Sequence, residues 1–97
     1  MEKKFLILSL KWTHRNSNWF TFWRTNSNGY CWFKDWCGLY EKEEDDSHTK
    51  YIDSTLVEND WIKIEYEGKE HLVLPNTSAI RKKLGITKDD LISPRKD

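Results

Sequence analysis

The sequence predicts one α+β domain over residues 1–97: a small, mainly antiparallel sheet of four or five strands with one or two short helices, the C-terminal helix packed on the sheet. Three observations lead there. Apolar residues alternate at period two near the N-terminus and again between Trp61 and Leu74. Clusters of Asn, Ser and Gly separate these runs, and a helical period emerges only between Thr77 and Gly85. The 97 residues suit a single domain with a small core, since a chain this short buries roughly two-thirds of its unfolded surface.

Residues 4–12 read as a central strand, with Leu6, Leu8, Leu10 and Trp12 on one face and Phe5 and Ile7 on the other. Thr13 to Asn18 is a polar connection. Trp19 to Arg24 is a second strand, antiparallel to the first because a parallel pair needs a longer crossover. Thr25 to Gly29 is a turn, and Tyr30 to Phe33 starts a third strand. Lys34 to Gly38 forms one helical turn, which Gly38 is expected to end in a left-handed cap. Residues 41–50 are charged and lack periodicity, as an exposed loop or a poorly anchored helix start would. Tyr51 to Val57 suits a strand or a helix equally. Trp61–Tyr66 and His71–Leu74 make a hairpin turning at Glu67-Gly68-Lys69, and Pro75 stops the ladder. Thr77 caps a helix whose Ile80 and Leu84 share a face, Gly85 ends it, and Thr87 and Asp90 have capping-box spacing for a last turn containing Leu91 and Ile92. Pro94 to Asp97 is a tail.

Composition is polar, with 37% hydrophobic and 33% charged residues, so the aromatics decide that the chain folds. Six Trp, four Tyr and four Phe can each bury about 150–250 Å², which predicts an aromatic core. Formal net charge is zero, so no overall field draws the chain to nucleic acid or anionic lipid. Locally the balance alternates: residues 1–37 carry six basic and two acidic side chains, residues 38–60 two and eight, and residues 61–97 eight and six. The C-terminal basic group (Arg81, Lys82, Lys83, Lys88, Arg95, Lys96) is diluted by Asp89, Asp90 and Asp97, and direct nucleic-acid binding is not expected. No apolar run approaches membrane-spanning length, and Phe5 to Leu10 is too short for an export segment. The expected setting is a reducing cytoplasm, with Cys31 and Cys37 as free thiols.

Ten of the aromatics crowd between Trp12 and Tyr40, and strand alternation cannot turn all of them inwards. Rings left outside form the kind of apolar patch that marks a partner surface, a ligand groove or a homo-oligomer contact. The candidate ligand-binding set is Trp23, Arg24, Asn26, Asn28, Tyr30 and Trp32: π surfaces to stack on a base, a guanidinium for phosphate, and amides beside a Gly-containing turn. Ordinary turn chemistry also accounts for the two Asn. The run Glu43, Glu44, Asp45, Asp46 reads as a solvated segment, or as a partner-binding stretch for a basic cleft.

No catalytic signature accompanies these features. A phosphate-cradling Gly-rich loop and a nucleophile turn are both missing from the sequence. Five residues separate Cys31 from Cys37, and His14, His48 and His71 are scattered, a poor pattern for zinc. The sequence therefore points away from an enzyme, and neither metal nor cofactor is expected.

The stretch Thr21-Phe-Trp-Arg-Thr-Asn-Ser-Asn-Gly-Tyr30, followed by Cys37-Gly-Leu-Tyr40 and an acidic run, resembles small phage and prophage accessory proteins. Their pattern is an aromatic strand ending in Trp-x-Pro-Asn-x-x-Gly-Tyr, then Ala-Gly-x-Tyr and several Glu. Thr25 stands where Pro is usual and Cys37 where Ala is usual, and the match covers about a third of the chain. The resemblance names no activity. It implies an accessory protein of a bacterial virus or mobile element that acts in the host cytoplasm against host defence. Two expectations follow: a non-enzymatic binding protein that sequesters a nucleotide-derived signalling ligand, or an inhibitor of a host defence nuclease or complex by direct protein contact.

Overall fold

A computed structural model describes residues 3–91 of the chain. The tail from Pro94 to Asp97 and Ile92 of the expected last turn lie outside the described residues. Four strands, β1 (Phe5–Ser9), β2 (Phe22–Trp23), β3 (Tyr30–Cys31) and β4 (Thr49–Asp53), form an antiparallel sheet in the order β3-β2-β1-β4. A hairpin of β5 (Ile62–Tyr66) and β6 (Lys69–Val73) forms a second, two-stranded sheet, and one helix follows, α1 (Ser78–Leu84). The α+β class holds, with the hairpin set apart from the main sheet.

β1 is central, and its Phe-Leu-Ile-Leu-Ser run explains why: Leu6 and Leu8 face the main core while Ile7 and Ser9 are buried on the other side. Leu8 pairs with Phe22, so Phe22 joins the core. Leu10, Phe20, Ile52, Val57, Leu74, Ile80, Leu84, Ile86 and Leu91 complete it, packing α1 and the last turn onto the sheet. Thr77 accepts the Ile80 N–H at 3.2 Å, Gly85 closes α1 at φ 77°, and Thr87 with Asp90 forms the capping box. Glu67 and Gly68 both have positive φ, as a two-residue hairpin loop requires.

The core is less aromatic than composition suggests. Phe20, Phe22 and Phe33 are the fully buried rings among the described residues, and every Trp is half-buried or exposed. The aliphatic side chains of β1, β4 and α1, with Phe20 and Phe22, fill a small interior against which half-buried Trp61 packs, 5.5 Å from the Phe22 ring. Trp12, expected to continue the core face of β1, is exposed, because the strand stops at Ser9 and the chain turns there, with Ser9 Oγ accepting the Trp12 N–H at 2.9 Å. Tyr51 to Val57 splits into the end of β4 and a 3-10 turn (Ser54–Val57) capped by Asp53.

Gly38 is a second correction. The 3-10 turn Lys34–Trp36 ends at Cys37 in extended conformation, and Gly38 is absent from the positive-φ residues. Its role is close approach: a Cβ there would lie 2.8 Å from Thr25 Cα and 2.9 Å from Thr25 N. The Cys37–Tyr40 segment thereby packs tightly beside β2, with Gly38 N–H donating to Trp23 O at 3.0 Å and Tyr40 exchanging backbone bonds with Phe5.

Candidate functional site

Beside edge strand β3 lies a groove of about 560 Å³, lined by Trp12, Thr21, Tyr30, Cys31, Trp32, Phe33, Trp36, Tyr66 and Glu67. Four stretches of the chain build it: the turn after β1, Thr21 just before β2, the aromatic segment 30–36, and the tip of the β5–β6 hairpin. Trp12 is 55% exposed, Tyr30 46%, Trp32 42% and Trp36 46%, so each of these groove rings keeps roughly half its surface in solvent.

Ring contacts fix the walls. Trp12 and Trp23 each pack on Tyr30, at centroid separations of 5.8 and 6.0 Å. Phe33 is the buried pivot of the other group: it stacks flat on His71 at 3.9 Å and contacts Trp36 at 5.1 Å and Tyr66 at 5.5 Å. The Phe33–Tyr66 pair, worth about 0.5–1.5 kcal/mol beyond simple burial, and the Phe33–His71 stack tie the hairpin to the 30–36 segment. Two cations border the site: Arg24 lies 5.0 Å over the Trp36 ring and Lys11 5.4 Å over the Trp12 ring.

Of the ligand-binding set read from sequence, Tyr30 and Trp32 line the groove and Arg24 reaches its border through Trp36. Trp23 supports Tyr30 from the side, and its buried Nε1 has no hydrogen-bond partner. Asn26 and Asn28 are exposed at the 3-10 turn Thr25–Ser27, with Asn26 at φ 58°, and do not line the groove. That turn is held by Tyr40, whose hydroxyl donates to Arg24 O and accepts the Ser27 N–H at 3.0 Å. Trp12, Trp36, Tyr66 and Glu67 are lining residues that the sequence did not single out. Aromatic density signalled Trp12 and Trp36; Tyr66 and Glu67 arrive through a long-range packing that leaves no local period.

The acidic run divides. Asp46 Oδ1 accepts the N–H groups of His48 (2.7 Å) and Thr49 (2.8 Å) and the Thr49 hydroxyl, and Asp45 accepts the Tyr51 N–H (2.7 Å) and pairs with Lys50. The His48 N–H bond, with the two Thr49 bonds, holds the Asp46 carboxyl below its ordinary range. These two aspartates lie just before β4 and occupy N–H groups at and beside its start, whereas Glu43 and Glu44 lie at the surface.

The thiols are free and close together: Cys31 Sγ lies 3.7 Å from Cys37 Sγ, and Cys37 donates to Phe33 O at 3.2 Å. The Cys37 hydrogen bond holds the Cys31 thiol below its ordinary range, and bonding to Cys31 together with burial pushes Cys37 well above it. One proton leaves the pair readily and the second resists. Among the described residues, no three or more His, Cys, Asp or Glu side chains gather as a metal site, and no helix is long and apolar enough to cross a membrane.

Comparison with protein families, curated proteins and solved structures finds no match to this chain.

Proposed function

We propose that this chain is a non-enzymatic binding protein whose aromatic groove sequesters a nucleotide-derived ligand, acting for a phage or mobile element against host defence. One observation carries the reading: four large rings, Trp12, Tyr30, Trp32 and Trp36, stay substantially exposed while converging on one groove. A folded domain that leaves such rings in water forgoes burial, and a planar ligand recovers it by stacking. Arg24 and Lys11 hold positive charge at the border, where the phosphates of a stacked nucleotide would extend. Glu67 supplies an acceptor for the exocyclic amine of a base. The resemblance of residues 21–46 to phage and prophage accessory proteins gives the reading its setting.

The test is titration of the purified protein with cyclic mononucleotides, cyclic dinucleotides and ADP-ribose derivatives, followed by tryptophan fluorescence and melting temperature. Binding is expected to shift both. Because a base–ring stack is worth about 1–3 kcal/mol, Trp32→Ala or Trp36→Ala should weaken binding roughly 5- to 150-fold. A panel that moves neither signal refutes sequestration.

A second reading, inhibition of a host defence nuclease or complex by direct contact, draws on the exposed Leu39 and on Glu43 and Glu44, whose carboxylates are free of the backbone roles that Asp45 and Asp46 serve. It predicts salt-sensitive co-purification with a basic host protein, lost in a Glu43→Gln, Glu44→Gln variant. Retention by that variant removes the acidic stretch from the account.

A further inference from the structure

We infer that Cys31 and Cys37 form an oxidisable dithiol site at the wall of the groove, converted to an intramolecular disulfide by a hydroperoxide. The inference does not depend on what the groove binds. Three features place it. The two sulfurs touch at 3.7 Å, against about 2.05 Å in a disulfide, so closure asks for a displacement of under 2 Å shared by two side chains. Cys31 lines the groove, which gives a small oxidant a path to a residue otherwise 8% exposed. Cys37 stands behind it, half-buried, with its Sγ 3.7 Å from Cys31 Sγ and donating to Phe33 O at 3.2 Å.

This division of roles suits a two-step oxidation. The Cys31 thiolate attacks a peroxide oxygen, forming an S–O bond as the O–O bond breaks, and the departing alkoxide or hydroxide takes up the proton that Cys31 released. Cys31 is now a sulfenic acid, oxidised by two electrons. The Cys37 sulfur then attacks the Cys31 sulfur; the S–S bond forms, the S–O bond breaks, and hydroxide leaves with the Cys37 proton as water. In sum, two thiols and one hydroperoxide give one disulfide, one alcohol (or water) and one water. The Cys37 hydrogen bond lets Cys31 ionise more readily than an ordinary thiol, which favours it as the first nucleophile, and the Arg24 guanidinium adds to that effect. Because Trp32 and Trp36 adjoin the two cysteines in sequence, the bond forms among indoles and quenches their emission.

The experiment uses the whole chain, reduced, freed of other thiols and treated with equimolar hydrogen peroxide before alkylation with iodoacetamide. The expected product is a monomer lighter by about 2 Da, refractory to alkylation at both cysteines, dimmer in tryptophan emission and restored by dithiothreitol. Cys37→Ser is expected to stop at a sulfenic acid on Cys31, about 16 Da heavier and captured by dimedone. Cys31→Ser should leave Cys37 reduced at the same dose. Two alkylatable thiols in the treated wild-type chain, a sulfinic acid in place of the disulfide, or disulfide-linked dimers would each overturn the proposal, and the wild-type measurement decides it even where a variant folds poorly.

Discussion

Thr13→Val is the sharpest test of how the chain reaches the groove. Thr13 is fully buried, and its hydroxyl accepts the Thr21 N–H at 2.9 Å from eight residues away. On its other side the Thr21 carbonyl accepts the Ser9 N–H, so β2 begins with one bond to β1 and one to this side chain. Valine matches threonine in shape and cannot accept. The change removes a hydrogen bond and strands a buried backbone donor, a cost of about 1–3 kcal/mol. In a domain of this size each kcal/mol lowers the melting temperature by roughly 4–8 °C, so a mid-range 2 kcal/mol gives a fall of about 8–16 °C. Thr13→Ser keeps the acceptor and loses only a methyl, about 1 kcal/mol. Thermal unfolding by circular dichroism should therefore rank the proteins wild type, Ser, Val, and hydrogen exchange at the Thr21 amide should accelerate in Val alone. A Val variant at least as stable as Ser would refute the reasoning.

The remaining predictions concern backbone and charge. Gly38→Ala should cost about 1–3 kcal/mol by overpacking against Thr25, measured as a lower urea midpoint at unchanged slope. Asn should be tolerated at left-handed Gly85 but not at Gly38, and equal tolerance at both would restore the cap interpretation. Glu67→Asn should stabilise by about 0.5–1 kcal/mol, because Glu67 holds φ 51°, a region asparagine adopts more readily; an unchanged melting temperature contradicts it. Asp46 and Asp53 have carboxyls held below their ordinary 3.8 by backbone N–H bonds from His48 and Thr55 respectively, so the folded state favours their ionised forms. Their contribution is full above that value and disappears as pH falls through the lowered one, so wild type should lose melting temperature more steeply than Asp46→Asn below about pH 4. Parallel pH profiles would remove Asp46 from the account.

What the sequence made legible was local. The period-two run of β1, the Trp61–Leu74 hairpin and the Thr77–Gly85 helix all signal through neighbours a few residues away; the hairpin and the helix stand near their expected bounds, while β1 stops three residues short of Trp12. Gly38 was misread as a left-handed cap, and the hydrogen bond that Thr13 makes within its connection went unseen, because their roles depend on Thr25 and Thr21, partners fixed only by tertiary packing. The candidate site divides along the same line. Ring density located Tyr30 and Trp32, while docking of the hairpin on Phe33 through His71 brought Tyr66 and Glu67 to the groove. Asp45 and Asp46 looked like part of a uniform charge run because composition carries no information about which carboxylates meet backbone N–H groups.

The magnitudes also constrain what the groove can hold. Four rings of about 150–250 Å², each exposed by roughly half, leave on the order of 400 Å² of apolar surface to cover. At about 25 cal/mol per Å² that is a gross gain near 10 kcal/mol. Association itself costs at least about 4 kcal/mol in lost freedom and more in ordering, which brings stacking alone to micromolar affinity or weaker. Tight sequestration therefore needs a charged contribution as well, and Arg24 and Lys11 are placed to make it, each already lying over a groove ring. A neutral aromatic ligand would bind loosely here. A ligand combining a flat base with phosphate would use both the rings and the cations, which is the physical ground for proposing the nucleotide class over an apolar molecule of equal size.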